Sequence, residues 1–140
     1  MALRILDCTL RDGGYYNNWC FSRELVDAYL EAMGKSGVDL VEIGFRNFPQ
    51  DNFLGPYAYS TESFLSTLTI PESITLGVMI DAKTVLSRGE VVEAAIDELF
   101  IPASQSVVKL VRVAAHFTEV EQCQPVVARL KELGYIVGLN

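Results

Sequence analysis

The chain has 140 residues, half of them apolar, and a formal net charge of −7. Its basic residues are scattered rather than striped, which argues against an electrostatic nucleic-acid footprint. No run approaches the roughly 18 apolar residues of a membrane helix, the opening MALRILDCTL has no signal-peptide layout, and Cys8, Cys20 and Cys123 form neither a CxxC nor a paired framework. One soluble, cytoplasmic domain is the expectation.

Five short apolar runs are spaced along the chain: Leu3–Cys8, Val38–Gly44, Ile74–Ile80, Lys109–Ala114 and Tyr135–Leu139. Each is nearly continuous rather than alternating, as strands covered on both faces are, and that favours a parallel sheet. Helical patterns lie between them. Ser22 caps a predicted helix to about Ser36, with Leu25, Val26, Tyr29, Leu30 and Met33 on one face and Gly37 after its end. A short helix is predicted near Thr61–Ser66. Ser87 and Glu90 fit a capping box before VVEAAIDELF, and Thr118 with Glu121 fits another. Pro125 suits a helix start, with Val126, Val127, Leu130 and Leu133 as the buried stripe and Gly134 as the stop. Repeated βαβ units follow. On pattern alone, five strands suit an open doubly wound sheet slightly better than a barrel, which needs about 250 residues.

Sites in parallel α/β folds sit at the C-terminal ends of the strands. The first strand runs straight into Asp7-Cys8-Thr9-Leu10-Arg11-Asp12-Gly13-Gly14. Asp12 is a hard oxygen ligand suited to Mg²⁺ or Mn²⁺. Arg11 is a permanent cation able to hold a carboxylate or a developing enolate oxygen. Gly13-Gly14 allows a sharp turn with no side chain across the mouth. The same residues also suit a structural Arg–Asp pair beside a glycine turn.

Glu42 lies inside an apolar strand, where an unpaired carboxylate is costly. An ion pair to Arg11 on the neighbouring strand would satisfy it. Arg112, also in an apolar strand, needs an acidic partner, Glu42 or Asp7. Arg46 either reaches an anion or is a solvated loop residue, and Asp81 reads as a helix cap or turn residue. His116 is the lone histidine and reads as a packed or hydrogen-bonded loop residue, since one His cannot make a His-rich metal site. Cys8 and Cys20 have no obvious partner base and read as packing or surface residues. There is no GxGxxG after the first strand, no Walker lysine and no GxSxG elbow, which weakens nucleotide-binding and hydrolase readings.

The segment LDCTLRDGGYYNNW, followed by VDLVEIGF, closely resembles the DRE-TIM metallolyase superfamily, which includes 3-hydroxy-3-methylglutaryl-CoA lyase and 4-hydroxy-2-oxovalerate aldolases. RVAAHFTE at Arg112–Glu119 is similar to the aldolase branch, and GGYYNNW to its HMGL-like, pyruvate-carboxyltransferase-like subgroup. The resemblance runs the whole length. It implies a (β/α)₈ TIM barrel, of which this chain holds about the first five strands and four connections as the N-terminal portion of one catalytic domain.

It also implies C–C bond making or breaking beside an α-keto acid, an activity competent only with the rest of the barrel. Asp12 would ligate Mn²⁺ or Mg²⁺, Arg11 would stabilise the enolate, and Glu42 would orient Arg11. Arg112 and Asp7 are carried as substrate-binding candidates. Two family features have no counterpart here: the HxH metal ligands, and a histidine soon after the RDG. Tyr15 or Tyr16 could replace the latter. Uncovered barrel edges raise the expectation of a homo-oligomer. A non-catalytic half-barrel acting through binding, and a Claisen-type acyl-CoA synthase, are the alternatives. No nucleic-acid or membrane partner is expected.

Overall fold

The structure, a computed structural model, describes residues 2–89 and 91–140. Five strands form one parallel sheet in sequence order: β1 (Leu6–Asp7), β2 (Leu40–Phe45), β3 (Thr75–Asp81), β4 (Leu110–Ala114) and β5 (Ile136–Leu139). The helices are α1 (Thr9–Gly13), α2 (Arg23–Ser36), α3 (Glu62–Leu65), α4 (Ala82–Leu86), α5 (Val92–Leu99) and α6 (Gln124–Glu132). The result is a half-barrel of parallel strands with helices between them, not the flat-order open sheet that strand count alone favoured.

The core lies between the sheet and these helices. Val41, Ile43, Leu76, Val78, Ile80, Val111 and Val113 meet Val26 and Leu30 of α2, Ile96 of α5, and Val126 and Leu130 of α6. Side chains on a strand alternate in direction. The residues between these core positions, Glu42, Met79 and Arg112 among them, therefore face the other, concave side. That side carries the charges.

Local chemistry explains most element boundaries. The Ser22 hydroxyl accepts from the Leu25 N–H, and Gly37 closes α2 at φ 81°, a left-handed conformation that favours glycine. Thr61 caps α3 in the same way through the Phe64 N–H. Asp81, of its two expected roles, is the cap: it starts α4 by accepting from the Lys83 N–H at 2.9 Å. Pro125 lies in the first turn of α6, where its missing N–H costs nothing. Leu25 departs from the expected buried face of α2 and is half exposed.

Two boundaries differ from expectation. β1 is shorter than Leu3–Cys8 because it pairs on one side only: Leu3 and Ile5 are exposed, and Asp39 accepts the Ile5 N–H with its side chain at 2.7 Å. The turn expected to start at Thr118 starts two residues earlier. There the Glu119 carboxylate accepts the His116 N–H at 3.1 Å, opening a 3₁₀ helix over Phe117–Cys123. The capping box through Glu90 lies outside the described residues. No helix among the described residues is long and apolar enough to cross a membrane.

Candidate active site

β1 ends at Asp7, and the chain turns at once into α1, so Arg11 and Asp12 sit at the C-terminal end of the sheet. Asp7 holds that turn. Its carboxylate accepts the Thr9 N–H at 2.9 Å, the Thr9 hydroxyl at 3.0 Å, and the Tyr29 hydroxyl. Burial pushes the Asp7 carboxyl up, but the bonds from Tyr29 and Thr9 bring it below its ordinary range. The same burial and the facing carboxylate push the Tyr29 phenol far up.

A carboxyl with a lowered folded pKa stabilises the fold above its unfolded pKa, and that stability is lost as pH falls through the folded value. Tyr29→Phe is therefore expected to cost about 1.5 kcal/mol at neutral pH, the worth of a hydrogen bond to a charged group. The difference from wild type should shrink as pH falls from the ordinary carboxylate range through the lowered folded value of Asp7, where the carboxylate protonates. Urea titrations at pH 7 and pH 3 check it; an equal loss at both would refute the Asp7 linkage.

The centre of the site is Glu42, which is 0% exposed. Arg11 donates Nε–H to its Oε1 at 2.7 Å, and Arg112 donates from Nη1 to both oxygens at 3.2 Å. Arg11 also pairs with Asp12 through Nη1 at 3.0 Å. Burial works against the Arg11 charge, but the hydrogen bond and attraction of Glu42 outweigh it and hold the guanidinium more firmly protonated than usual. Arg112 passes the network on by donating from Nη2 to Asn140 Oδ1 at 2.6 Å. Four sequence candidates, Arg11, Asp12, Glu42 and Arg112, thus form one connected cluster. Asp7 stands apart as the anchor of its turn, so Glu42 and not Asp7 is the partner of Arg112.

Aromatic residues frame the cluster, among them Tyr15, one of the two tyrosines carried as a stand-in for the family's histidine. A bulge between Glu42 and Gly44 shifts the β2 register, so that Phe45 pairs with Met79 and joins the concave face. Arg11 lies over the Phe45 ring at 5.8 Å, and Trp19 and Tyr15 meet the same ring edge-on at 5.5 and 6.1 Å. Trp19 donates its indole N–H to the Arg11 carbonyl at 2.8 Å. The two glycines do not make the sharp turn expected of them, since both have helical φ, −63° and −59°. Gly14 is instead required by close approach: a Cβ there would lie 2.0 Å from the Trp19 ring.

Arg46 is neither solvated nor aimed at the mouth. It is 3% exposed, donates to the Ser60 carbonyl at 2.8 and 3.1 Å, pairs with Glu62 at 3.0 Å and lies over Phe100. Glu62, unnoticed in the sequence, collects Ser106 and the Val107 N–H as well. This second cluster ties the β2 loop to the β4 entrance and belongs to the scaffold. Cys8, Cys20 and Cys123 are all free.

Asp12 is the chain's candidate metal ligand. Its side chain is 69% exposed at the mouth and engages Arg11 through one oxygen. A hard carboxylate suits a hard divalent cation. No group of three or more His, Cys, Asp or Glu side chains able to hold a metal occurs among the described residues. The donor type fits such an ion, and among the described residues Asp12 is a single candidate ligand rather than a complete set.

No family model matches the chain. A crystal structure of the N-terminal domain of a putative aldolase from Bacteroides vulgatus is similar, with 33% identity and a TM-score of 0.87, over 99% of this chain and 44% of that one. The chain thus spans less than half the length of that solved relative.

Proposed function

We propose that this chain supplies half of a divalent-metal-dependent aldolase or lyase site that makes or breaks a C–C bond next to an α-keto acid. The observation that carries the reading is Arg11 fixed between a fully buried carboxylate, Glu42, and an exposed one, Asp12, at the C-terminal end of the strands. The similar putative aldolase supports the reaction class. The further step, to the DRE-TIM metallolyases and a closed (β/α)₈ barrel, rests on the Arg11, Asp12 and Glu42 pattern.

Each residue has a separable part. Asp12 would hold Mn²⁺ or Mg²⁺ together with ligands from outside these 140 residues, and the bound ion would supply Lewis-acid polarisation of the keto-acid carbonyl. Arg11 uses Nε for Glu42 and Nη1 for Asp12, so its Nη2 edge remains to receive the oxygen on which charge collects as the C–C bond breaks. Glu42 takes no proton in this scheme. It sets the Arg11 plane and offsets part of the charge of Arg112, whose donors beyond those given to Glu42 and Asn140 would hold the substrate carboxylate. The four side chains sum to zero charge, so a bound dication leaves the site cationic and matched to a keto acid.

The experiment is pyruvate release from 4-hydroxy-2-oxo acids with Mn²⁺ by the full-length enzyme that completes this half-site, comparing it with its Asp12→Asn variant. Equal rates would remove Asp12 from the metal site.

A second reading has its own support. Ile136 and Leu139 on β5 are 46% and 50% exposed, and Leu139 lines a groove with Val120 and Val127. An uncovered strand edge recruits a partner strand, so the chain would act by self-association, which a homo-oligomer would express. Sedimentation of the purified chain is expected to show dimers or larger species; a clean folded monomer would count against this reading.

A further inference from the structure

We infer that Asn140 is a substrate-contacting residue, whose amide nitrogen holds the C4 oxygen of a 4-hydroxy-2-oxo acid. The inference rests on the keto-acid reading above and extends it to the half of the substrate that leaves.

A cavity of about 260 Å³ lies at the C-terminal ends of β3, β4 and β5, lined by Tyr15, Asp81, Ala114, Ala115, His116 and Asn140. It borders the Arg11 cluster by two routes. Tyr15 leans on Phe45, which lies under Arg11. Asn140 is joined to Arg11 through Arg112 and Glu42.

The backbone of Asn140 is fixed. Its N–H donates to the Val113 carbonyl at 2.9 Å, and its carbonyl accepts from the Ala115 N–H at 3.0 Å, extending the β4–β5 pairing past Leu139. Its side chain is oriented by chemistry. Arg112 can only donate, so the amide atom at 2.6 Å from its Nη2 must be the oxygen. The NH₂ end is thereby the end left for a ligand, and no other hydrogen bond holds it among the described residues. A residue that continues the sheet pairing just past a strand end, with its amide oxygen held by an arginine anchored on a buried carboxylate, is an oriented donor. Asp81, the acidic member of the lining, is occupied in capping α4.

In cleavage the C3–C4 bond breaks and its electron pair passes into the pyruvate enolate, which takes a proton at C3. The C4 hydroxyl gives its proton to a general base, and its oxygen becomes the aldehyde oxygen. An amide N–H serves both, accepting no proton and contributing no charge. Enolisation of pyruvate alone involves no C4 oxygen. The two reactions therefore separate Asn140 from Arg11 and Asp12.

Asn140→Asp keeps an oxygen for Arg112 and removes the donor. Two rates are measured with Mn²⁺: exchange of the pyruvate C3 protons with solvent deuterium, by NMR, and cleavage of a 4-hydroxy-2-oxo acid. The ratio of cleavage to exchange is expected to fall about a hundredfold, the cost of removing one well-placed donor. Asn140→Leu, which loses both amide atoms, should lower the same ratio. A ratio within about threefold of wild type in Asn140→Asp would overturn the role of Asn140 while leaving the enolate reading intact. Both rates are read on the full-length enzyme that completes the site, and absence of exchange in that unaltered enzyme would overturn the enolate reading and this inference with it.

Discussion

Glu42→Gln is expected to lower the stability of the fold by about 3 kcal/mol, read as a drop in the urea midpoint. The change is nearly isosteric, so packing is kept. What is lost is a carboxylate that is wholly buried and serves two guanidiniums, Arg11 at 2.7 Å and Arg112 at 3.2 Å. Removing one partner of a buried ion pair leaves the other charges uncompensated, which costs more than the pair itself contributes. The arginine side chains retain 13% and 19% exposure on the concave face. Water there relieves part of the penalty, which sets the estimate at the lower end of the usual range of about 3–5 kcal/mol.

A double variant sharpens the test. Glu42→Gln combined with Arg112→Met removes one of the stranded charges, so its loss should be smaller than the sum of the two single losses. Simple additivity would mean that Glu42 and Arg112 do not act as a unit.

The cluster was visible in the sequence for a plain reason. A carboxylate in VDLVEIGF and an arginine in KLVRVAA cannot remain unpaired inside apolar strands. Parallel order then brings Arg11, Glu42 and Arg112 to one face. What stayed hidden depended on contacts between distant segments. Arg46 is buried because Ser60, Glu62 and Phe100 surround it, and no local pattern announces that. The bulge that turns Phe45 toward Arg11 leaves no mark in LVEIGF beyond its glycine. Gly14 suggested a turn, whereas its cause lies five residues on, in Trp19. The short α4 was missed because a cap and one apolar turn are too little for a periodic signal. Asn140, at the end of the last strand, gained meaning only from its bond to Arg112.

Arg11→Lys and Asp12→Asn are expected to lower kcat/KM for cleavage of a 4-hydroxy-2-oxo acid by about a thousandfold each, for different reasons. Lysine keeps the charge of Arg11 but presents one point of donation instead of a planar fork. It cannot serve Glu42, Asp12 and a developing oxyanion together. Drawn toward the buried carboxylate, it would leave the oxyanion unsupported, and loss of such a donor costs about a hundred- to thousandfold.

Stability should fall much less than in Glu42→Gln, because a cation still faces Glu42. Asp12→Asn should leave stability close to wild type, since its side chain is mostly exposed and its pairing with Arg11 is a surface contact. Its loss of rate should be partly recovered at high Mn²⁺, as expected when a ligand is weakened but not removed. Arg11→Lys should show no such recovery. A metal response in both variants, or in neither, would mean that Arg11 and Asp12 do not divide the work between oxyanion and metal.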